Sequence, residues 1–530
     1  MTQLYLREDA YIEPLVNHWY AWPNLIPPVQ YALYMTKTHR RLIGSFLANP
    51  RMHIMANRNP EMAGGGEFVD CREEQVVELQ ALLARMDAEH ASYRGLADAV
   101  AELDALVKAH TSGTALEPLY ERVPAPLKGY VELSMDLFHQ PSYRLLEALL
   151  YRSPHYDKSL QSLSCGLLSR AKERPFVFST PRLPDEEHLD VRVSFDAPLL
   201  DEIFRTRDTP VSAEQVDAWF AGLALSGGLS YRELFTSDAP RAPLPPPTGD
   251  AVHVRCLGHA GFIVQSGGTT VLVDPVVASR ESEGEEVISY ADLPPRIDYV
   301  CLTHAHPDHA HLETLLQLRH KIGRVLLPRN NGGTLVDPSL ALILKELRFP
   351  VAALEELEEV PLPDGRIVSL PFLGEHGDLN IRTKTAWLFE MNGRKIVAAA
   401  DSSNLSPEMY EHVRDIFGEL DVLAIGMECV GAPYTWLYGA LATSPVSREI
   451  RESRRLRGSD FEQAAKMVEI LRPRHVLIYA MGMEPWYRYF MGVNYHADSE
   501  QIVQSGKMLD YCRERGIPAQ RISGNGSMML

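Results

Sequence analysis

The chain has 530 residues, 45% hydrophobic and 23% charged, the proportions of a globular protein long enough for two domains. Its 52 Lys plus Arg against 70 Asp plus Glu give a net charge of -18, and neither half is basic, which argues against a nucleic-acid surface. Six cysteines lie far apart with no CxxC pair, charges interrupt the first residues, and no apolar run nears the ~20 residues of a membrane span, so a soluble, cytoplasmic protein with reduced thiols and no membrane contact is expected.

In chain order, apolar Val76, Leu79, Leu82 and Leu83 recur at helical spacing and predict a helix over residues 73–110. A second helix is predicted over residues 213–225, with Ser212 as its N-cap and Gln215 placed to complete a capping box. Residues 1–238 therefore read as a distinct, largely helical N-terminal domain, with scattered histidines and no catalytic constellation. From Asp238 to Asp250, five prolines in thirteen residues remove backbone donors and fix φ, which places a linker at 239–250.

Residues 251–530 change texture. Short apolar runs separated by glycine turns predict strands at 252–257, 262–265, 270–273, 299–302, 324–327, 367–370, 386–390, 395–399, 422–425 and 475–479. Helical patterns fall between several of them, as at 312–320 and 459–471, which argues for a layered α/β domain.

The strand ending at Leu302 runs directly into Thr303-His-Ala-His-Pro-Asp-His309, four potential metal ligands within six residues. A strand end breaking into a loop turns alternate side chains toward one point, so His304 and His306 can share an ion while Asp308 and His309 reach a second. Imidazole with carboxylate and no competing thiolate suits zinc or iron.

This His-x-His-x-Asp-His run resembles the metal motif of the metallo-β-lactamase superfamily, supported by Leu257-Gly-His-Ala-Gly261, Asp274-Pro275, Gly374-Glu-His-Gly-Asp378 and Ala399-Ala-Asp401-Ser402. The resemblance implies an αββα sandwich, a third ligand at His376, and Asp401 bridging two metals. Two departures stand out. The place of a final histidine holds Ala480 or Met481, with His475 too early and His496 out of spacing, and a carboxylate, Glu375, precedes His376. Adjacent residues on an extended segment point opposite ways, so Glu375 and His376 compete for one coordination position, unless Glu375 only orients His376. Both departures shift the ligand set toward oxygen, which suits a diiron centre, and two histidines with one carboxylate leave positions open for O2.

With the N-terminal Tyr11-Ile-Glu-Pro-Leu-Val-Asn-His-Trp19, the chain is similar to the diiron β-hydroxylases of the chloramphenicol-biosynthesis type. That resemblance implies a non-heme diiron monooxygenase with two irons per chain and O2 as co-substrate. It would hydroxylate the β-carbon of an aminoacyl group on a phosphopantetheinylated nonribosomal peptide synthetase carrier domain, in antibiotic or natural-product biosynthesis. Asp401 would bridge, His304, His306 and Glu375 (or His376) would hold one iron, and Asp308 with His309 the other, with Glu375 and Asp401 as the catalytic carboxylates. The competing class is a binuclear zinc hydrolase of a lactone, thioester or phosphodiester. A separate electron donor is expected, and a homodimer with the N-terminal domain serving dimerisation or carrier docking. Ser447 to Arg457 holds five arginines in eleven residues, which either receive the carrier's phosphate or pair locally with Glu449 and Glu452. Tyr434, Trp436 and Tyr438 either wall an aromatic substrate pocket or are ordinary packing rings.

Overall fold

The computed structural model describes residues 3–59, 67–171, 173–281, 287–524 and 526–530. The C-terminal part is built on two seven-stranded mixed sheets packed face to face. All ten predicted strands form, among them Thr270–Val273 and His475–Tyr479 with the predicted bounds. Four short strands at the sheet edges, such as Val351–Leu354 and Ser527–Met529, complete the sheets and escape the sequence pattern because they are brief and half-exposed.

Between the sheets, Phe262, Val264, Val271 and Cys301 meet Trp387, Phe389, Ile396 and Leu477 in a dry layer. Helices Pro407–Phe417, Phe461–Leu471 and Glu500–Glu514 cover the outer face of the second sheet, burying Leu388, Leu423 and Ile478. Helices Leu312–Leu318 and Leu340–Glu346 cover the outer face of the first. This is the αββα arrangement the resemblance implies.

The N-terminal part is more mixed than its helical patterning predicts. Its helices include Pro28–Leu33, Arg40–Ala48, Pro50–Arg58, Val76–Ala88, Ala91–Lys108 and Pro198–Arg205. The helix predicted across 73–110 breaks at Glu89–His90, and the one from Ala213 ends at Phe220, with Ser212 capping it by accepting the Gln215 N–H. Between them lie short strands, centred on Ala10–Val16 paired with Gln161–Leu167. Ala10–Val16 is buried at all seven positions, so the alternation that marks a half-exposed strand is absent.

The proline-rich residues 239–250 carry no helix or strand. The two parts nevertheless share one core, in which Leu6, Ile12 and Phe204 join Leu272, Leu315 and Leu316. Buried ion pairs cross the same boundary: Arg174 reaches Glu13 at 2.7 Å and Glu313 at 2.6 Å. No helix among the described residues is long and apolar enough to cross a membrane, and all six cysteines are buried with free thiols.

Candidate metal centre

The site gathers where strands of both sheets end at one rim. Strand Ile297–Cys301 opens into the loop carrying His304, His306, Asp308 and His309. Strand Gly365–Leu370 leads to Glu375 and His376, and strand Arg394–Ala398 to Asp401. Glu375, Asp274 and Ala400 take left-handed backbone angles, φ 68, 38 and 48 degrees, a conformation that is costly for non-glycine residues and is held by the surrounding structure. Gly426 makes room for the centre, since a Cβ there would collide with Asp401 Oδ1.

The donor atoms fall into three overlapping groups, each with its atoms within 4.8 Å of one another: His304, His306 and Glu375; His304, His309 and Asp401; His259, Asp308 and His309. Glu375 Oε1 lies 2.8 Å from His306 Nδ1, and Asp401 Oδ2 lies 2.8 Å from His309 Nε2 and 3.9 Å from His304 Nε2. Asp401 thus spans the first and last members of the histidine run. His304 Nε2, His309 Nε2, His376 Nε2 and Asp401 Oδ1 are buried with no hydrogen bond, a condition that a cation bound among them would relieve.

The electrostatics fit a cation as well. Burial, reinforced by Asp401 and Asp308, pushes the Glu375 carboxyl well above its usual range, while burial pulls the His306 imidazolium down to about 4. Both groups therefore lean to their neutral forms until a metal displaces the carboxyl proton. Burial of the Asp308 carboxyl is overcome by His309 and by a hydrogen bond from His259, which together hold its pKa down.

His376 stands outside the three groups. Its Nδ1 lies 3.0 Å from the Tyr438 hydroxyl, so Glu375 and His376 turn to different partners. His475, at the start of its strand, and His496, at the cavity wall, are likewise in none of them, and Ala480 lines the cavity where a last histidine was sought.

Residues that ligand-run reasoning leaves aside support the loop. Asp274, fully buried, accepts from Thr303 N–H (2.7 Å), Thr303 Oγ1 (2.5 Å) and His309 Nδ1 (2.8 Å). His259 Nε2 is 2.9 Å from Asp308 Oδ2. A cavity of about 920 Å³ opens onto Glu375, Asp401 and His306, walled by Phe178, Trp436 and Phe490. Of the aromatic trio, Trp436 faces this cavity, whereas Tyr438 turns to the histidines. Phe178 comes from the N-terminal part, which thus contributes a wall to the cavity. In the arginine run, Arg448 pairs with Glu452 at 2.7 Å and Arg455 approaches Asp378 at 3.9 Å, while Arg454 lines the cavity with Arg488.

Comparison with known proteins agrees with this architecture. Residues 5–240 match the family described as the diiron non-heme β-hydroxylase N-terminal domain, and residues 253–451 match the β-lactamase superfamily domain. The chain is 38% identical over 529 residues to the 4-amino-L-phenylalanyl-CmlP-peptidyl-carrier-protein 3-hydroxylase of Streptomyces venezuelae, covering 98% of both. It superposes on the crystal structure of CmlA, a diiron β-hydroxylase from Streptomyces venezuelae, with TM-score 0.91, 35% identity and 100% of both chains covered. A mutant of that β-hydroxylase gives TM-score 0.89 at 35% identity, covering 99% of this chain and 100% of the mutant's. This chain belongs to the diiron non-heme β-hydroxylase family.

Proposed function

We propose that this chain is a non-heme diiron monooxygenase that hydroxylates the β-carbon of an aminoacyl group tethered to a nonribosomal peptide synthetase carrier domain, in antibiotic or natural-product biosynthesis. The observation that carries the reading is the face formed by His304, His306 and Glu375, with Asp401 reaching from His304 to His309. His304, His306 and Glu375 would hold one iron and Asp308 and His309 the other, with Asp401 shared between them and His376 outside the set. Bound iron would supply the O2 chemistry, drawing on two external electrons, and we place the electron donor on a separate protein.

The chain's own residues do the rest. Glu375 and Asp401 present carboxylates to the cavity floor, and their anionic charge suits iron over zinc. Phe178, Trp436 and Phe490 give the cavity an apolar wall that orients the side chain to be hydroxylated and keeps bulk water from the oxidant. We take residues 1–238 and 251–530 as the two domains, joined by 239–250, in a cytoplasmic homodimer. The hairpin tip carrying Leu137 and Phe138, 96% and 84% exposed, favours a subunit contact near it.

Protein purified without added metal is expected to carry about two irons per chain with a near-ultraviolet oxo-to-iron band, lost on anaerobic reduction and altered again by air. Two zincs and esterase turnover would instead establish the hydrolase.

The carrier reading rests on Arg454 and Arg488 at the cavity mouth, where guanidinium groups suit the phosphodiester of a tethered arm. Arg454→Glu with Arg455→Glu is expected to raise KM for the carrier-tethered substrate about tenfold, the loss of one charge-assisted contact, with kcat little changed. An unaltered KM at both low and high salt rejects docking at this rim.

A further inference from the structure

Tyr438 closes the short helix Tyr434–Tyr438, and its ring is buried. Its hydroxyl lies 3.0 Å from His306 Nε2 and 3.0 Å from His376 Nδ1. The two imidazoles pack edge to face, with centroids 4.4 Å apart at 71 degrees. A phenol has one hydrogen to give and lone pairs to accept, so it can serve both rings at once, donating to one and accepting from the other.

The direction of that chain follows from the opposite side of His306. Its Nδ1 faces Glu375 Oε1 at 2.8 Å, on the side of the candidate centre. A nitrogen that binds a cation must offer a lone pair, which leaves the proton of neutral His306 on Nε2. That N–H then donates to the Tyr438 oxygen, and the Tyr438 O–H is free to donate to His376 Nδ1. His306 is thereby held in one tautomer and one ring orientation, the task that hydrogen-bonding partners of ligating histidines perform.

The helix that carries Tyr438 is anchored from the N-terminal part. The Tyr34 hydroxyl donates to the Leu437 carbonyl, Lys37 Nζ donates to the Ala442 carbonyl at 2.6 Å, and Thr443 Oγ1 donates to Asp104. Three residues from before the linker thus hold the stretch from 437 to 443.

We propose that Tyr438 is a positioning residue for the metal centre, fixing His306 by a hydroxyl shared with His376, and that Tyr34 sets the place of that hydroxyl. This rests on His306 being a ligand, as proposed above.

The test is anaerobic titration of the metal-free, full-length chain with Fe(II), and in parallel with Co(II), whose visible bands report ligand geometry. Wild type is expected to take two equivalents. Tyr438→Phe keeps the ring and removes the hydroxyl, so one equivalent is expected to weaken roughly ten- to a hundredfold, with a shifted Co(II) band, while the other stays unchanged. Tyr34→Phe, outside the centre, is expected to weaken the same equivalent by a smaller factor, and it decides the question if Tyr438→Phe does not fold. His376→Gln leaves an amide oxygen to accept from Tyr438 and is expected to retain both equivalents.

Wild-type affinities in Tyr438→Phe, equal weakening of both equivalents, or outright loss of an equivalent in His376→Gln would each overturn the proposal. A Tyr34→Phe variant identical to wild type overturns the part assigned to Tyr34, and overturns the whole proposal where Tyr438→Phe does not fold. A wild-type chain that fails to take two metals points instead to failure of the ligand assignment itself.

Discussion

Arg174→Met is expected to destabilise the folded chain by about 3–5 kcal/mol, the cost of removing one partner from a buried ion network. Arg174 stands between two carboxylates, Glu13 at 2.7 Å and Glu313 at 2.6 Å, with its side chain only 8% exposed. Its guanidinium lies 3.5 Å from the centroid of the Tyr489 ring, a contact that methionine keeps as packing but not as charge. Glu13 retains Arg182, which donates to both of its oxygens. Among the described residues, Glu313 keeps the neutral donors Tyr20 and Tyr489, at 2.8 and 3.3 Å. The loss therefore falls mainly on Glu313.

The pH dependence has a definite sign. Burial already raises the Glu313 carboxyl above its ordinary value, with Arg174 the main opposing influence, so the variant raises it further. A group whose folded pKa exceeds its unfolded one is most favourable to folding below the unfolded value and loses that advantage as pH rises. The deficit should be greatest at neutral and alkaline pH and shrink toward the ordinary carboxylate range. Denaturant midpoints of both proteins across pH, with Glu313→Gln added to the variant, check this. A deficit under about 1 kcal/mol that ignores pH would refute it. Because Glu313 lies four residues beyond His309, on helix Leu312–Leu318, the same variant should also loosen the loop that carries the histidines.

That network also shows why parts of the molecule were legible in the sequence and others were not. His304, His306, Asp308 and His309 sit in one loop, so a short window contains the chemistry that their side chains share. Strands such as Thr270–Val273 and His475–Tyr479 show as apolar runs ended by turn residues. The supports come from far away: Asp274 is 35 residues from His309, His259 is 49 from Asp308, and Tyr438 is 132 from His306. Only the topology joins them, because parallel strands Thr270–Val273 and Ile297–Cys301 end side by side, with Val273 opposite Cys301.

Tyr438 is legible in the sequence as an aromatic near the rim, yet its spacing with Trp436 gives no sign that it faces the histidines rather than the cavity. The choice between Glu375 and His376 was open for a related reason. Strand parity says that neighbours diverge, but the left-handed turn at Glu375 determines which of the two looks toward His306. The sheets of residues 1–238 stayed hidden because Ala10–Val16 is enclosed on both faces, whereas helices such as Val76–Ala88 keep a polar side. Phe178 illustrates the consequence. A lone phenylalanine in an irregular stretch carries no signal, and only the shared core brings it to the cavity.

Asp274→Asn is expected to lower iron affinity at the His309 position by roughly ten- to a hundredfold, although the substitution barely changes shape. All three groups facing Asp274 give hydrogens: the Thr303 N–H to Oδ1, and Thr303 Oγ1 and His309 Nδ1 to Oδ2. A carboxylate accepts them all, but an amide has one oxygen and one NH2. If the NH2 replaces Oδ1, it confronts a backbone N–H that cannot reverse, at a cost of about 1–3 kcal/mol for a buried unsatisfied donor. If it replaces Oδ2, Thr303 can rotate its hydroxyl to accept, but His309 must present a lone pair at Nδ1 and move its proton to Nε2. That nitrogen is the one lying 2.8 Å from Asp401, on the side where the ion is proposed to bind. Either orientation damages the centre, the first by distorting the loop after strand Ile297–Cys301 and the second by protonating a ligand. Anaerobic Fe(II) titration with near-ultraviolet circular dichroism separates the two routes, since only the first disturbs the metal-free fold. Two irons bound at wild-type affinity would show that Asp274 orients nothing.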